Sequence, residues 1–155
     1  MVQVQLDRSN ATKATLDIMT IVDLEMKLLR HNTQTPSHII LAFLVRPGVS
    51  PAGRTLKSYN PSLGRAREFL KITQAPSIGT PAVIYLSDSM KKVFVRALEL
   101  ARQESTSVPP LVRTDQLLRA IIDEQDDDAQ ELFDTLGINP LALKASLSRL
   151  LESDD

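Results

Sequence analysis

The chain has 155 residues, 43% of them hydrophobic but only 4% aromatic, so aliphatic side chains must build most of the core. Its 18 basic and 19 acidic residues give a net charge of −1, which excludes a global field that would attract nucleic acid or a membrane surface. The sequence contains no cysteine, which excludes disulfides, thiolate catalysis and cysteine-based zinc sites.

The N-terminal residues predict neither a secretory signal nor a transit peptide, because no charged stretch precedes an apolar one and no Arg-rich stretch occurs. No apolar run approaches the length of about 20 residues that spans a bilayer. We therefore expect a soluble, cytoplasmic protein. Residues 1–10 carry alternating apolar side chains and are interpreted as an extended arm, since no second strand is predicted to pair with them.

The first two predicted elements are a long helix and a densely apolar one. Thr12 is a good N-cap for a helix that runs to about Arg30. Its apolar residues recur at steps of four, four and three, as expected of one helical face: Ile18, Val22, Met26 and Leu29. After a polar turn, Pro36 begins a second helix that ends near Val45. Its residues 39–44 are apolar on every side, so several neighbours must bury them.

A loop, a short helix and a medium helix complete the first half. The loop covers residues 47–53, and the short helix is predicted over 53–58. An Asn-Pro pair at 60–61 then introduces the medium helix, over 62–72. Residues 75–81 are rich in Pro and Gly, which is typical of a linker.

The second half repeats this order. Its predicted elements are a long helix capped by Ser87 and ending near Glu104, a dense helix over 114–123, a short helix over 129–136 and a last helix over 141–151. Ser87 lies 75 positions after Thr12, and the Asn-Pro pair at 139–140 lies 79 positions after the first one. An order of elements that recurs at a near-constant offset indicates an internal repeat.

We predict an all-α fold in which eight helices form two pseudo-twofold-related four-helix repeats that share one core. A single domain covers residues 1–155. Repeat 1 covers residues 11–72, a linker covers 73–85, and repeat 2 covers 86–151. The two dense helices, one from each repeat, are expected to meet near the pseudo-twofold axis, because each must bury more than one face.

The repeated segments resemble a known motif. They are the His31-Asn32 turn, the Ser37-His38-Ile39-Ile40-Leu41 segment, the Leu86-Ser87 cap, the Thr114-Asp115-Gln116-Leu117-Leu118 segment, and the short helix that ends at Leu136-Gly137. Their order resembles the double Clp-N motif, the N-terminal domain of the Hsp100/Clp unfoldases, most closely the ClpC and ClpB types. The resemblance covers about residues 11–151. Repeat 1 departs from the motif because it lacks the Leu-Gly stop.

The resemblance implies a non-enzymatic protein-binding module of the Clp unfoldase and protease system. Its expected partners are proteins: Clp ATPase or protease subunits, adaptors or substrates. It would recognise substrates or adaptors, or regulate Clp assembly, without a cofactor and without binding nucleic acid or a membrane. Since no ATPase module follows in this sequence, we expect a freestanding module or an excised domain. The alternative is a small helical regulatory or ligand-sensing domain without a Clp partner.

The resemblance also implies a candidate ligand site. In some ClpC-type domains a glutamate accepts the guanidinium of phosphoarginine while the phosphate meets a helix start; a carboxylate suits a guanidinium and a helix start suits a phosphate. Asp115 and Ser37 stand at the two glutamate positions, and only Asp115 keeps a charge. We therefore expect phosphoarginine-like ligands mainly at the second repeat, around Ser87 and Asp115, whereas a site in the first repeat would involve Ser37 beside the helix that Thr12 caps. The candidate binding residues are Ser87, Asp115, Gln116, Thr12, Ser37 and His38.

Other candidate chemistry is better explained by structure. Two histidines, His31 and His38, are too few ligands for a metal site, and His38 is expected to hydrogen-bond at the start of its helix. No serine is marked as a nucleophile, so an enzyme is not expected. The acidic residues 126–128 are interpreted as a solvated loop.

A segment from Gly48 to Thr55 imitates a phosphate-binding P-loop, with Arg54 in place of the usual lysine. A genuine P-loop follows a strand and opens a helix, so that its amides converge on phosphate. This segment follows an apolar helix instead. We interpret it as an interhelical turn and expect no nucleotide binding.

Overall fold

The computed structural model describes residues 5–79, 83–150 and 155. Within them it contains eight α-helices: α1 Lys13–Leu29, α2 Pro36–Val45, α3 Pro51–Lys57, α4 Leu63–Thr73, α5 Asp88–Glu104, α6 Thr114–Glu124, α7 Asp127–Thr135 and α8 Pro140–Leu147. A 3₁₀ turn, Pro47–Val49, joins α2 to α3. The predicted all-α fold and the repeated order of a long, a dense, a short and a last helix are confirmed.

Most helix starts are fixed by a local side-chain cap. The Thr12 hydroxyl accepts a hydrogen bond from the Thr15 amide at 3.2 Å, and Ser87 accepts one from Met90 at 3.0 Å, as predicted. Four further caps do the same for other helices: Ser50, Ser62, Asp126 and Asn139. Each satisfies amides that the first helical turn cannot pair internally.

Two helix boundaries differ from the prediction. Helix α3 begins at Pro51 rather than near position 53, because Ser50 caps it and proline is favoured in the first turn. The acidic residues 126–128 are not a loop. Asp126 accepts a hydrogen bond from the Ala129 amide at 3.0 Å, and Asp127 and Asp128 form the first turn of α7, where negative charge complements the helix dipole.

The last helix also ends earlier than predicted. Helix α8 stops at Leu147, whereas the sequence pattern predicts helix as far as position 151. Position 151 itself and the predicted N-terminal arm at positions 1–4 lie outside the described residues. The predicted arm continues at Leu6, which is half-buried against the core.

The centre of the core is the dense helix α2. Its residues 39–43 have no exposed surface at all. It contacts α1, α3, α4, α5, α6 and α7, so it is covered on every side, as its composition requires. Its counterpart α6 is similarly buried through Leu117, Leu118 and Ala120. The two dense helices contact each other, as expected.

The sequence pattern did not predict any strand pairing, and here the structure differs. Strands β1, Thr33–Gln34, and β2, Tyr85–Leu86, form a two-stranded parallel sheet. An isolated parallel bridge joins Ala11 to Val112. Each pairing is only one or two residues long and connects segments far apart in sequence, so no local pattern marks it.

The P-loop-like segment has a packing explanation. Gly53 lies inside α3, and a Cβ atom there would approach the Pro47 carbonyl oxygen to 2.6 Å. Only glycine allows this contact between α3 and the preceding 3₁₀ turn. The segment also follows helix α2 rather than a strand, so its amides do not form a phosphate cradle.

Replacing Leu118 by Ala should lower the free energy of unfolding by about 2–5 kcal/mol, because the side chain is fully buried and its loss leaves a cavity. Leu141→Ala is the matched control, since Leu141 is 73% exposed and should change stability by less than about 0.5 kcal/mol. Urea denaturation measures both. Equal effects of the two substitutions would contradict the burial of α6.

Candidate functional site

The short pairings bring helix starts together across the two repeats. The Thr12 amide donates to the Val112 carbonyl at 3.0 Å, which places the start of α1 beside the start of α6. The Ser87 amide donates to the Gln34 carbonyl at 3.0 Å, which places the start of α5 beside the start of α2. The fold therefore has two places where a helix start of one repeat meets a helix start of the other.

This arrangement corrects the grouping expected from the sequence. We expected Ser87 to act with Asp115, and Thr12 with Ser37, each pair within one repeat. In the structure the partners are exchanged between the repeats. Thr12 lies where α1 meets α6, the helix that carries Asp115, and Ser87 lies where α5 meets α2, the helix that carries Ser37. The grouping differs from the expected one because the parallel pairings join segments from different repeats.

The meeting of α1 and α6 holds an acidic side chain. The carboxylate of Asp155 accepts hydrogen bonds from the Thr12 hydroxyl at 2.5 Å and from the Thr114 amide at 3.2 Å, and the Thr114 hydroxyl also donates to it. A negative group is favourable here because the free amides of a helix start carry partial positive charge.

Asp115 itself is buried in a network of charges. Its carboxylate accepts hydrogen bonds from Arg113 at 2.9 Å and from Arg119 at 3.2 Å. Glu104 pairs with Arg119 on the other side, and this hydrogen bond is the main cause that holds the pKa of Glu104 below its usual value. The side chain of Asp115 is only 3% exposed, so its charge is already neutralised inside the protein.

Gln116 completes this network as a capping residue. Its side-chain oxygen accepts from the Arg113 amide at 2.9 Å, and its side-chain nitrogen donates to Glu104 at 3.2 Å. In repeat 1, 78 positions earlier, His38 accepts from the Thr35 amide at 3.0 Å in the same way. The expected hydrogen bond of His38 at its helix start is therefore confirmed.

Repeat 1 carries no counterpart to the charged network. Ser37 stands at the position of Asp115, and Leu41 stands at the position of Arg119. Ser37 is buried, and its hydroxyl has no hydrogen-bond partner among the described residues. The two repeats thus bury the same helix turn in different ways, one neutral and one charged.

An apolar groove lies next to the short sheet. It encloses about 530 Å³ and is lined mainly by large apolar side chains: Leu6, Met19, Val83, Ile84, Tyr85, Leu86 and Phe94. Three of these are well exposed, Val83 at 55%, Ile84 at 44% and Tyr85 at 59%. We call this the β2 groove. An exposed apolar surface of this kind is characteristic of an interaction site.

Four polar residues also border the β2 groove. They are Gln5, Asp23, Gln34 and Lys91. Gln34 is 4% exposed, and its side-chain oxygen has no hydrogen-bond partner among the described residues. Burial raises the pKa of Asp23 above its usual value. A buried acceptor without a partner is costly to the fold.

Sequence reasoning missed the β2 groove. It assigned residues 73–85 to a linker on the basis of nearby Pro and Gly. The available signal was the apolar run 83–86 directly before the Ser87 cap, which is unusual for a solvated linker. The predicted site residues are less accessible than expected: Ser37, His38, Asp115 and Gln116 are buried, and Thr12 and Ser87 are half-buried.

A family model described as the Clp repeat N-terminal domain matches residues 25–136, which is most of the chain. The chain belongs to this family. Clp N-terminal domains are non-catalytic modules for protein interaction. Among curated protein sequences, none matches the chain.

Solved structures of three Clp-type N-terminal domains share the fold. The Hsp104 N-terminal domain from Candida albicans aligns with a TM-score of 0.72 at 19% identity, over 93% of this chain and 93% of that one. The ClpD N-terminal domain from Arabidopsis thaliana gives 0.71 at 20% identity, over 90% and 95%. The ClpV N-domain from Vibrio cholerae gives 0.63 at 17% identity, over 100% and 95%. These likenesses establish the fold.

None of the described helices combines the length and the hydropathy needed to cross a membrane. In the described part of the chain, no three His, Cys, Asp or Glu side chains are grouped so as to hold a metal ion.

Replacing Asp115 by Ala should lower the free energy of unfolding by about 3–5 kcal/mol, because Arg113 and Arg119 would lose the carboxylate that neutralises them inside the protein. Ser37→Ala is the control at the equivalent position. It removes a hydroxyl without a described partner and should cost less than about 0.5 kcal/mol. Comparable losses of stability in urea would show that the charged network is not what distinguishes the repeats.

Proposed function

We propose that this chain is a protein-binding module of the Clp unfoldase and protease system that takes an extended apolar segment of a partner or substrate in the β2 groove. The observation that carries the proposal is the groove itself, which is lined by the exposed side chains of Val83, Ile84 and Tyr85 together with the buried Phe94. Association through such a surface is driven by removing apolar area from water.

The backbone of β2 supports an extended ligand. The amides of Tyr85 and Ser87 donate to the carbonyls of Asn32 and Gln34, so strand alternation directs the backbone groups of Ile84 and Leu86 away from β1. An added strand would pair with these groups, which is a common mode of peptide recognition.

The wider role follows from the family. Under this proposal the bound segments belong to Clp substrates or adaptors, or to Clp ATPase or protease subunits whose assembly the module regulates, in the cytoplasm. A pull-down with the Clp ATPases and protease subunits of the same organism separates this role from that of a helical regulatory domain without a Clp partner. Recovery of none of them would favour the latter.

Ile84→Asp should weaken binding of a fluorescently labelled, extended apolar peptide by tenfold or more, because burying an aliphatic side chain contributes about 1.5–3 kcal/mol. Fluorescence anisotropy measures the affinity. Ile78→Asp is the matched control, since Ile78 is a fully exposed isoleucine outside the β2 groove and should leave the affinity unchanged. If both variants bind like the unmodified protein, the groove is not the peptide site.

A phosphoarginine-like ligand at the second repeat is a further part of the proposal. The start of α6 favours an acidic group, as its hydrogen bonds to Asp155 illustrate. A guanidinium, however, would have to replace Arg113 at the carboxylate of Asp115. We therefore propose that such a ligand binds across Thr12, Thr114 and Asp115 and competes with groups of the protein itself.

Arg113→Ala should strengthen phosphoarginine binding by about tenfold, because it removes the competing partner of a charge-assisted hydrogen bond worth about 1.5–3 kcal/mol. Adding Asp115→Asn to that variant should abolish the gain. Titration followed by NMR measures both and should shift the amides of Thr12 and Thr114. Shifts clustered at Ser37, or no shifts at millimolar ligand, would contradict this assignment.

A further inference from the structure

The two histidines of the chain form a buried pair. His31, after the end of α1, is 1% exposed, and His38, in the first turn of α2, is 0% exposed. Their rings are nearly perpendicular, with centroids 5.1 Å apart, and His31 Nδ1 lies 2.9 Å from His38 Nε2. Burying two imidazoles in contact requires that their four ring nitrogens all find compatible partners.

The partners at both ends fix where the protons are. At one end, the Thr35 amide can only donate, so His38 Nδ1 is the acceptor and carries no proton. At the other end, the Gln74 carbonyl can only accept, so His31 Nε2 is the donor, at 2.9 Å. The bond between the rings must then run from His38 Nε2–H to His31 Nδ1. In this arrangement both rings are neutral, and every ring nitrogen and the Thr35 amide have a partner.

An added proton breaks this chain wherever it binds. On His38 Nδ1 it would displace the Thr35 N–H and donate to the Thr35 hydroxyl, 2.9 Å away; on His31 Nδ1 it would face the His38 N–H, unless that proton moves to His38 Nδ1 and displaces the Thr35 N–H as well. Each protonated state therefore loses either the bond from the Thr35 amide or the bond between the rings. Burial is the main cause that lowers the pKa of both rings; for His38, with the neighbouring His31 as a further cause, the value falls to about 3.

No carboxylate among the described residues compensates for such a proton. The charged residues of the flanking elements are Asp23, Glu25 and Lys27 in the second half of α1, Arg30 directly after it, and Arg65, Arg67, Glu68 and Lys71 on α4. None of them contributes to the pKa of either histidine. The buried carboxylate of Glu25 is bonded to Arg67 at 2.8 Å.

The pair holds the end of α4 against the first strand. His31 donates to the Gln74 carbonyl, and the Gln74 side chain makes two hydrogen bonds with the backbone of Thr33, at 3.2 and 3.0 Å. Thr33 belongs to β1, which pairs with β2. The hydrogen bonds therefore run from the Thr35 amide at the start of α2, through both rings, to the end of α4 and to β1, and this link opens if the bond from Thr35 or the bond between the rings is lost.

We propose that the His31–His38 pair is a pH-sensitive lock, which links the start of α2 to the end of α4 while both rings are neutral and opens when either ring takes up a proton. The lock is a property of the fold and does not depend on which segment the β2 groove binds. It predicts a loss of local order in repeat 1 on acidification, at a place where repeat 2 has no titrating counterpart.

Proton linkage sets the direction in which the stability of the fold depends on pH. The folded pKa values lie below the ordinary value of about 6.5, so the stabilisation is complete above pH 6.5 and is lost as the pH falls toward the folded values. Between pH 6 and 4 the unfolded chain holds a proton on His38 that the folded chain does not. Because of this single proton, the unfolding equilibrium constant rises about tenfold for each unit by which the pH falls.

The second repeat supplies the matched variant. At the equivalent position, Gln116 accepts from the amide of the N-cap residue and donates from its side-chain nitrogen, as neutral His38 does, but it does not titrate. His38→Gln should therefore keep both hydrogen bonds and match the unmodified protein near pH 7.5. As the pH falls from 6 to 4, the logarithm of its unfolding equilibrium constant should rise less steeply than that of the unmodified protein. The difference between the two slopes should be about one log unit per pH unit.

Urea denaturation at several pH values measures the slopes, and hydrogen exchange at the Thr35 amide, which donates to His38 Nδ1, reports local release. In the unmodified protein this amide should exchange faster at pH 5 than its intrinsic rate predicts, and His38→Gln should suppress the effect. NMR should show His38 protonated on Nε2 alone at pH 7. Equal slopes for the two proteins, or a His38 ring that titrates near pH 6.5 in the folded state, would overturn the proposal.

Discussion

The rest of the structure depends on covering helix α2. A helix whose residues 39–43 are apolar on every side can exist in water only if other elements surround it. Six helices do so, three from its own repeat and three from the other. This requirement explains why the repeats share one core instead of forming two separate lobes, each too small to bury such a helix by itself.

The polar groups at the start of each dense helix are buried as a consequence. Repeat 1 satisfies them with a neutral imidazole chain, and repeat 2 with two arginines between two carboxylates. Both arrangements pair the buried groups, but they respond differently to change. The neutral chain is sensitive to acid, whereas the charged network is sensitive to the loss of a single carboxylate.

The helices were predictable from the sequence because their signals are local. Thr12 and Ser87 act on amides three positions away, so a short window contains the whole interaction. The pairing of Ala11 with Val112 joins segments about a hundred positions apart, and no local pattern records it. The crossed grouping of Thr12 with Asp115 and the β2 groove follow from such pairings, which is why sequence reasoning missed both.

The crossed pairings also bear on how a domain of this kind could have arisen. A half-length chain folded by itself would present two segments, equivalent to those at Ala11 and Thr33, without the partners that the other half supplies. Two copies of such a chain would supply them to each other around a twofold axis, which is the closed symmetry most common among homodimers. Gene duplication and fusion would then join the two copies through a connection such as residues 73–85. After fusion the two copies are free to diverge, one toward paired histidines and the other toward paired charges.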